Sequence, residues 1–282
     1  MRPADLTRLV SLAAIWGASF LFVRIAAPAI GPVLTVDLRM LIAGATLAAY
    51  FRLIGFRAEW RRWWRQYAVV GLLTSALPFL LYAYAALSIT AGFMSVINAS
   101  SPMWGALFSA WLLGDRLSSR GIAGLAIGIV GVGLVTLPEI GAGFAVLPAL
   151  AATGAAACYG LAGAYMRRWA TNVPSRGMAL GTQIAGGLML APFLAFAPPA
   201  AMPSALVVAS VLAMGVVCGA VAYVLYFRLV TDIGAAGALT VTYLIPLFGV
   251  AFGAAFLDET ISLVMLGGGG LVLLGTFLVL RK

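Results

Sequence analysis

Three groups of side chains in this 282-residue chain are placed to bind something. Phe79 with Tyr82, and again Tyr223 with Tyr226, are spaced i, i+3, so each pair shares a helix face. With Trp16, Phe20, Trp104 and Tyr159 they form a set of rings that could line an aromatic cavity. Such faces stack on other rings and attract ammonium groups; the plainer reading of each ring is core packing or lipid contact. Asn98, Ser100 and Ser101 precede Pro102, as Thr240, Thr242 and Tyr243 precede Pro246. These polar groups either satisfy the carbonyls that a proline frees or hold the amine or carboxylate of a small molecule. The two prolines themselves read either as static kinks or as hinges. Arg39 is a lone charge in apolar sequence, roughly 9 Å into its segment at the helical rise. A buried arginine is costly and normally paired, so it finds a partner, serves a ligand, or snorkels outward; Asp37 is near it in sequence but on another helix face.

The parts of a catalyst are missing. There is no histidine, the commonest metal ligand and neutral-pH proton shuttle. No embedded carboxylate pair and no serine set beside a base is recognisable, so acid–base and nucleophilic chemistry lack their components. No GxxxxGK[ST] loop is present to cradle ATP. Cys158 and Cys218 sit in apolar runs and read as small buried hydrophobes. No catalytic residue, metal site or cofactor is expected.

Composition names the solvent. Hydrophobic residues make up 63% of the chain and charged ones 9%, with a mean hydropathy of +1.09. A soluble domain is about a quarter charged, so lipid must cover most of this surface. At roughly 20 apolar residues per crossing, the sequence predicts ten spans, at residues 8–28, 33–53, 66–87, 91–113, 120–138, 147–167, 176–197, 204–228, 234–256 and 262–280. The first is too long for a signal-peptide core and reads as a retained span. The net charge of +9 reflects anchoring arginines between spans rather than a nucleic-acid partner. With an internal N-terminus, fifteen of the 17 basic residues fall on the cytoplasmic face, Arg24 on the other, and Arg39 within the second span. That asymmetry puts both termini in the cytoplasm, and Glu139 and Asp258 outside. Residues 52–65, with Trp60, Trp63 and Trp64 beside arginines, suit an amphipathic segment at the interface. Glycine ladders such as Gly124 with Gly128 and Gly249 with Gly253 allow close helix contact.

The chain also resembles itself. At an offset of 144, Tyr82 meets Tyr226, Pro102 meets Pro246, Gly105 meets Gly249, Asp115 meets Glu259 and Gly131 meets Gly275. At an offset of 143, Trp16-Gly17 meets Tyr159-Gly160 and Arg24 meets Arg167, whereas Arg39 meets Thr182. The unit is five spans, an odd number, so the second copy enters the membrane inverted. The expected division is 1–140 and 141–282, with a site between the halves near mid-membrane.

At these residues the chain resembles the drug/metabolite transporter superfamily, EamA type. The resemblance runs nearly end to end. It rests on Trp16-Gly17-Ala18-Ser19-Phe20, on Arg39 with the small residues after it, and on the Pro102 and Pro246 segments ending in Gly114-Asp115-Arg116 and Asp258-Glu259-Thr260. Within the superfamily it is most similar to YddG-like amino acid exporters. The resemblance implies an all-α membrane protein, a basket of ten helices with spans 1, 3, 4, 6, 8 and 9 around a central cavity. It also implies a bacterial inner-membrane location, no partner beyond lipid and substrate, and a monomer as the working unit. The function it implies is alternating-access movement of small metabolites, aromatic and other neutral amino acids first. The rivals are a non-transporting membrane scaffold and a carrier of another metabolite or drug class. Because all eight carboxylates fall at or near predicted span ends, downhill, uniport-like movement is expected.

Overall fold

The computed structural model describes residues 2–141, 146–196 and 202–280, apart from the side chains of 137–141 and 235–236. The placement of the Glu139 side chain, Arg281 and Lys282 lies outside the described residues. The regular structure described is entirely helical. We number the helices α1 (Pro3–Ile30), α2 (Pro32–Leu53), α3 (Trp60–Ala85), α4 (Ala91–Asn98), α5 (Ser101–Leu113), α6 (Ser119–Gly141), α7 (Val146–Trp169), α8 (Ser175–Phe196), α9 (Ala205–Gly234), α10 (Gly237–Leu257) and α11 (Leu263–Leu280). Among the described residues, nine of these are long and apolar enough to cross a membrane; α4 and α5 are the shorter pair.

The ends of these helices follow local chemistry. α1 stops at Gly31, whose φ of 85° suits glycine, and Pro32 opens α2, where its missing N–H costs nothing. α5 and α10 finish alike, on left-handed Gly114 and Asp258. The next N–H then reaches back, Asp115 to the Ser109 carbonyl at 3.4 Å and Glu259 to that of Gly253 at 3.2 Å.

Two sequence expectations need correction. The stretch 52–65, expected as an amphipathic interfacial segment, is from Trp60 onward the amphipathic opening of α3 that runs on into the span, because nothing between Trp60 and Gly71 breaks a helix. The two prolines, moreover, are not used alike. Pro102 stands in the first turn of α5, after a tight turn at Ala99 and Ser100 built on i→i+3 bonds, whereas Pro246 lies inside α10, beyond a similar turn at Thr240. α3 and α9 each also contain a π-helical stretch, Leu72–Ala76 and Ala213–Val221, at overlapping repeat positions. Such widened turns add a residue to the helix and are frequent at functional sites.

The packing exchanges equivalent elements. α1 lies on α10 as α7 lies on α5; α2 lies on α9 as α8 lies on α3; α6 and α11 pack on each other. At the first of these crossings a Cβ on Gly17 would stand 2.6 Å from the Phe248 Cβ, and at its counterpart a Cβ on Gly160 would stand 2.5 Å from the Gly105 nitrogen. Only glycine permits backbones to approach this closely. Contacts between equivalent helices also fix their direction. Gly124 touches Gly275 while Gly131 touches Gly268, so α6 and α11 run antiparallel. Gly44 meets Ile184 while Gly187 meets Leu41, which makes α2 and α8 antiparallel as well.

The crossing predicts a contrast within one helix. Gly160→Ala should lower the thermal midpoint in detergent by several degrees, since overpacking of this kind costs on the order of 1–3 kcal/mol. Gly163→Ala, with nothing within 4 Å of the added Cβ, should leave it unchanged or raise it slightly. Equal midpoints for the two variants would refute the close crossing.

Candidate functional site

The site is built from the aromatic faces of α3 and α9, just beyond their π-helical stretches, and from α1, α2, α4 and α7 around them. Tyr82 of α3 is 4% exposed and donates its hydroxyl to Asn98 Oδ1 at the end of α4, 3.2 Å away. Its ring stacks on Tyr159 of α7, with centroids 6.4 Å apart, and meets Phe20 of α1 edge-on at 5.3 Å. Across the repeat, Trp16 of α1 packs on Tyr226 of α9 at 5.7 Å. These are equivalent pairs, since Trp16 matches Tyr159 and Tyr226 matches Tyr82. Tyr159 and Tyr223 are both half-buried.

Arg39 does not snorkel. It is 8% exposed, donates Nη1 to Ser19 Oγ at 3.1 Å, and lays its guanidinium over the Phe79 ring at 3.7 Å from the centroid. Ser19, between Trp16 and Phe20, and the Phe79 ring together place it beside the aromatic set. Its buried Nε has no hydrogen-bond partner, and no carboxylate among the described residues forms an ion pair with it. Phe79 is therefore a platform for the charge, and a cation over a desolvated ring gains about 2 kcal/mol. Asp37, one helix face away, is fully buried, with neither carboxylate oxygen hydrogen-bonded. It stands five residues into α2, roughly 7.5 Å at the helical rise. That position agrees with the expectation of carboxylates at or near span ends, but the Asp37 side chain faces the seam with α8, near Gly187, rather than the headgroups.

The remaining candidates divide. Ser101 gives its hydroxyl to the Asn98 carbonyl at 2.6 Å and Ser100 gives its own to Ile97 at 2.7 Å. Thr240 and Thr242 bond Gly237 and Leu239 in the same way. For these four the backbone-satisfying reading holds, and Asn98 alone turns its side chain to another helix. Trp104 lies at the α5–α7 crossing, its Cβ against Gly160, and its ring pairs with Phe108 at 6.5 Å. Tyr223 stacks on Phe227 at 6.1 Å. Tyr243 occupies the first turn after Thr240 and enters no ring pair with the Tyr82 group. Cys218, 1% exposed, donates its thiol to the Ile15 carbonyl, and Cys158 is free. Ser19, the partner of Arg39, is not among the sequence candidates, although it lies between Trp16 and Phe20 in the first-span motif.

The sequence pattern of the EamA-like transporter family matches residues 7–137 and matches again at 146–281. The chain belongs to the EamA-like transporter family. Its relatives include the uncharacterized transporter YvbV of Bacillus subtilis, 26% identical over 97% of this chain and 90% of that one. An uncharacterized transporter of Archaeoglobus fulgidus is 24% identical over 95% of both chains. The chloroplastic WAT1-related protein At3g02690 of Arabidopsis thaliana is 26% identical over 97% of this chain and 68% of its own. A solved crystal structure shares the fold at a TM-score of 0.64, with 20% identity over 99% of this chain and 96% of that one. This EamA-like protein is thus a multi-pass membrane protein of a family that moves small molecules, and the Arg39 and Tyr82 groups sit in its interior.

The Tyr82–Asn98 bond can be weighed in the folded protein alone. Asn98→Ala leaves a buried hydroxyl without its acceptor and should cost about 1–3 kcal/mol. Tyr82→Phe removes the hydroxyl itself and should cost less. The double variant should be more stable than the sum of the two losses implies. Strict additivity in thermal unfolding would show that the bond does not form.

Proposed function

We propose that this EamA-like protein is an alternating-access carrier of small carboxylate-bearing metabolites, with neutral and aromatic amino acids as the best fit. The observation that carries the reading is Arg39, a buried guanidinium with a free Nε, no carboxylate partner among the described residues, and rings on its flanks. Leaving a charge so placed without a counterion is expensive, and a ligand carboxylate supplies the counterion. The Tyr82, Tyr159 and Trp16 rings then receive a side chain or an ammonium group. A zwitterion needs no further net charge, so uniport is sufficient.

The wider architecture in this proposal is ten spans in two inverted repeats, 1–140 and 141–282, with α4 and α5 together making one crossing. Three observations support it: the family pattern matches twice, equivalent helices that touch run antiparallel, and the packing exchanges equivalent pairs. Both repeats lie in one chain, so a monomer suffices. The arginine asymmetry supports cytoplasmic termini in a bacterial inner membrane. A cysteine introduced by Thr260→Cys should accordingly react with an impermeant reagent added outside intact cells, and one introduced by Arg57→Cys should not; the reverse would invert the topology.

The transport reading is tested in liposomes with labelled amino acids and no ion gradient. Wild type should equilibrate the label, with competition from amino acids but not from the corresponding decarboxylated amines. Arg39→Gln should lower uptake on the order of tenfold or more, and Arg39→Lys should lose less. Undiminished uptake by folded Arg39→Gln would remove the arginine from the site, and no uptake of any amino acid would favour another metabolite class or a scaffold. A second reading, proton coupling, is favoured by the buried, unpartnered Asp37 carboxyl. Accumulation that requires an imposed pH gradient, and that Asp37→Asn abolishes, would select it over uniport.

A further inference from the structure

Each repeat carries an acid immediately after the left-handed turn that ends its fourth segment, Asp115 in the first and Glu259 in the second. Each also carries an arginine in its first helix, Arg24 and Arg167, again at matched positions. The two acid–arginine sets are matched in sequence but differ in what they hold.

At one face the pair is split. Glu259 accepts hydrogen bonds from the backbone N–H groups of Ala91, at 2.8 Å, and Gly92, at 3.1 Å, capping the start of α4. Arg24 Nη1 donates to the Ala86 carbonyl at the end of α3, 2.6 Å away. Acid and arginine together therefore grip the two ends of the short α3–α4 connection, and both are half-buried. At the other face the pair is joined. Arg167 Nη1 donates to Asp115 Oδ2 at 2.9 Å and to Ser109 Oγ at 3.2 Å. Both side chains are open, Arg167 59% and Asp115 43% exposed, and among the described residues Arg167 makes its hydrogen bonds to Asp115 and Ser109 rather than to the Val230 carbonyl that matches Ala86. Near the end of α9, Asp232 accepts from Arg8 of α1 at 2.8 Å, which ties those two helices together.

We propose that each acid–arginine pair is a two-state latch for its own face, split onto the helix connection when that face is closed and joined when it is open. This rests on the inverted-repeat transport reading above. In the opposite state the roles exchange. Glu259 pairs with Arg24, while Asp115 caps the backbone N–H groups at the start of the helix after Gly234 and Arg167 takes the carbonyl of Val230, the residue that matches Ala86. The energetics suit a switch. A carboxylate on two N–H groups at a helix start, and a guanidinium on a carbonyl at a helix end, are charge-assisted and aligned with the helix dipoles. An exposed ion pair is worth little. One face therefore holds the stronger set while the other holds the weaker, and exchanging them leaves the total nearly unchanged.

The test reads populations rather than uptake. Spin labels at Ser88→Cys and Thr260→Cys span the Glu259 face, and labels at Arg116→Cys and Thr231→Cys span the other, in a background with Cys158 and Cys218 changed to alanine. Glu259→Gln weakens the stronger set of the present state, so the Ser88–Thr260 distance should lengthen and the other shorten, with a population change on the order of tenfold. Asp115→Asn weakens the stronger set of the opposite state, so both distances should move the other way. Asp115 is exposed, so its variant remains a test even if Glu259→Gln fails to fold. Shifts in the same direction, or none in folded protein, would overturn the latch. Opposite shifts in a protein that carries no substrate would keep the latch and reject the transport reading. Wild-type uptake without shifts would do the reverse.

Discussion

Hydrocarbon offers a backbone N–H or C=O no partner, so every irregularity in a spanning helix must be answered from within the chain. This constraint explains most of the polar residues that look functional in the sequence. The turn at Ala99 and Ser100 frees carbonyls, and three hydroxyls answer them. Ser100 takes Ile97, Ser101 takes Asn98, and Thr276 reaches from α11 to Ala99 at 2.9 Å. Glu259 answers the N–H groups that open α4, and Arg24 the carbonyl that closes α3. Once these are assigned, the groups that backbone chemistry does not use include the Asn98 side chain, the Arg39 Nε and the Asp37 carboxyl, along with Gln183 and the Trp63 and Tyr67 polar atoms at the α3–α8 side.

The same constraint leads to the glycines. In lipid there is no hydrophobic force between helices, and close packing has to supply the attraction. The crossings at Gly17, Gly160, Gly124 and Gly275 bring backbone against backbone, where any Cβ would intrude. They fall at matched positions, and they fix which helices touch before any ring is placed. The aromatic pairs Trp16–Tyr226 and Tyr82–Tyr159 are a consequence, because Gly17 and Gly160 follow Trp16 and Tyr159 directly.

Much of this is legible in the sequence, for physical reasons. Long apolar runs report helices in lipid, and their observed limits lie near those expected. Matched Pro, Gly and acidic positions report the repeat, because these residues sit where an apolar substitute would fail. Other features are not legible. The π-helical stretches follow from packing rather than residue type, and nothing in Leu72–Ala76 announces one. The sequence around Arg39 gives its depth but not its neighbours, because Ser19 and Phe79 reach it from other helices. The stretch around Trp60 misleads because tryptophan and arginine suit both a helix lying at an interface and one entering it. Pro102 and Pro246 look equivalent in sequence and are not, since similarity of residues carries no information on which of two conformations each copy adopts.

That last difference bears most on how the molecule works. Two copies of one pattern, folded independently, would adopt one shape, and the assembly would be symmetric. Here the copies differ: α5 begins at its proline while α10 runs through its own, and one acid–arginine set grips backbone while the other grips itself. In the inverted-repeat reading proposed above, a pseudo-symmetric chain in an asymmetric shape has, by exchange of roles, a second shape of nearly equal free energy. The two shapes need only small differences in contact energy to interconvert, because a ligand shifts such an equilibrium by no more than its differential affinity for the two. In the same reading, Arg39, without an ion-pair partner among the described residues and with no counterpart charge at Thr182, is a group whose environment changes when the copies exchange shapes. On the two proposals together, the buried arginine and the duplicated acid–arginine residues have complementary roles. The first breaks the symmetry of charge, and the second preserves the symmetry of shape.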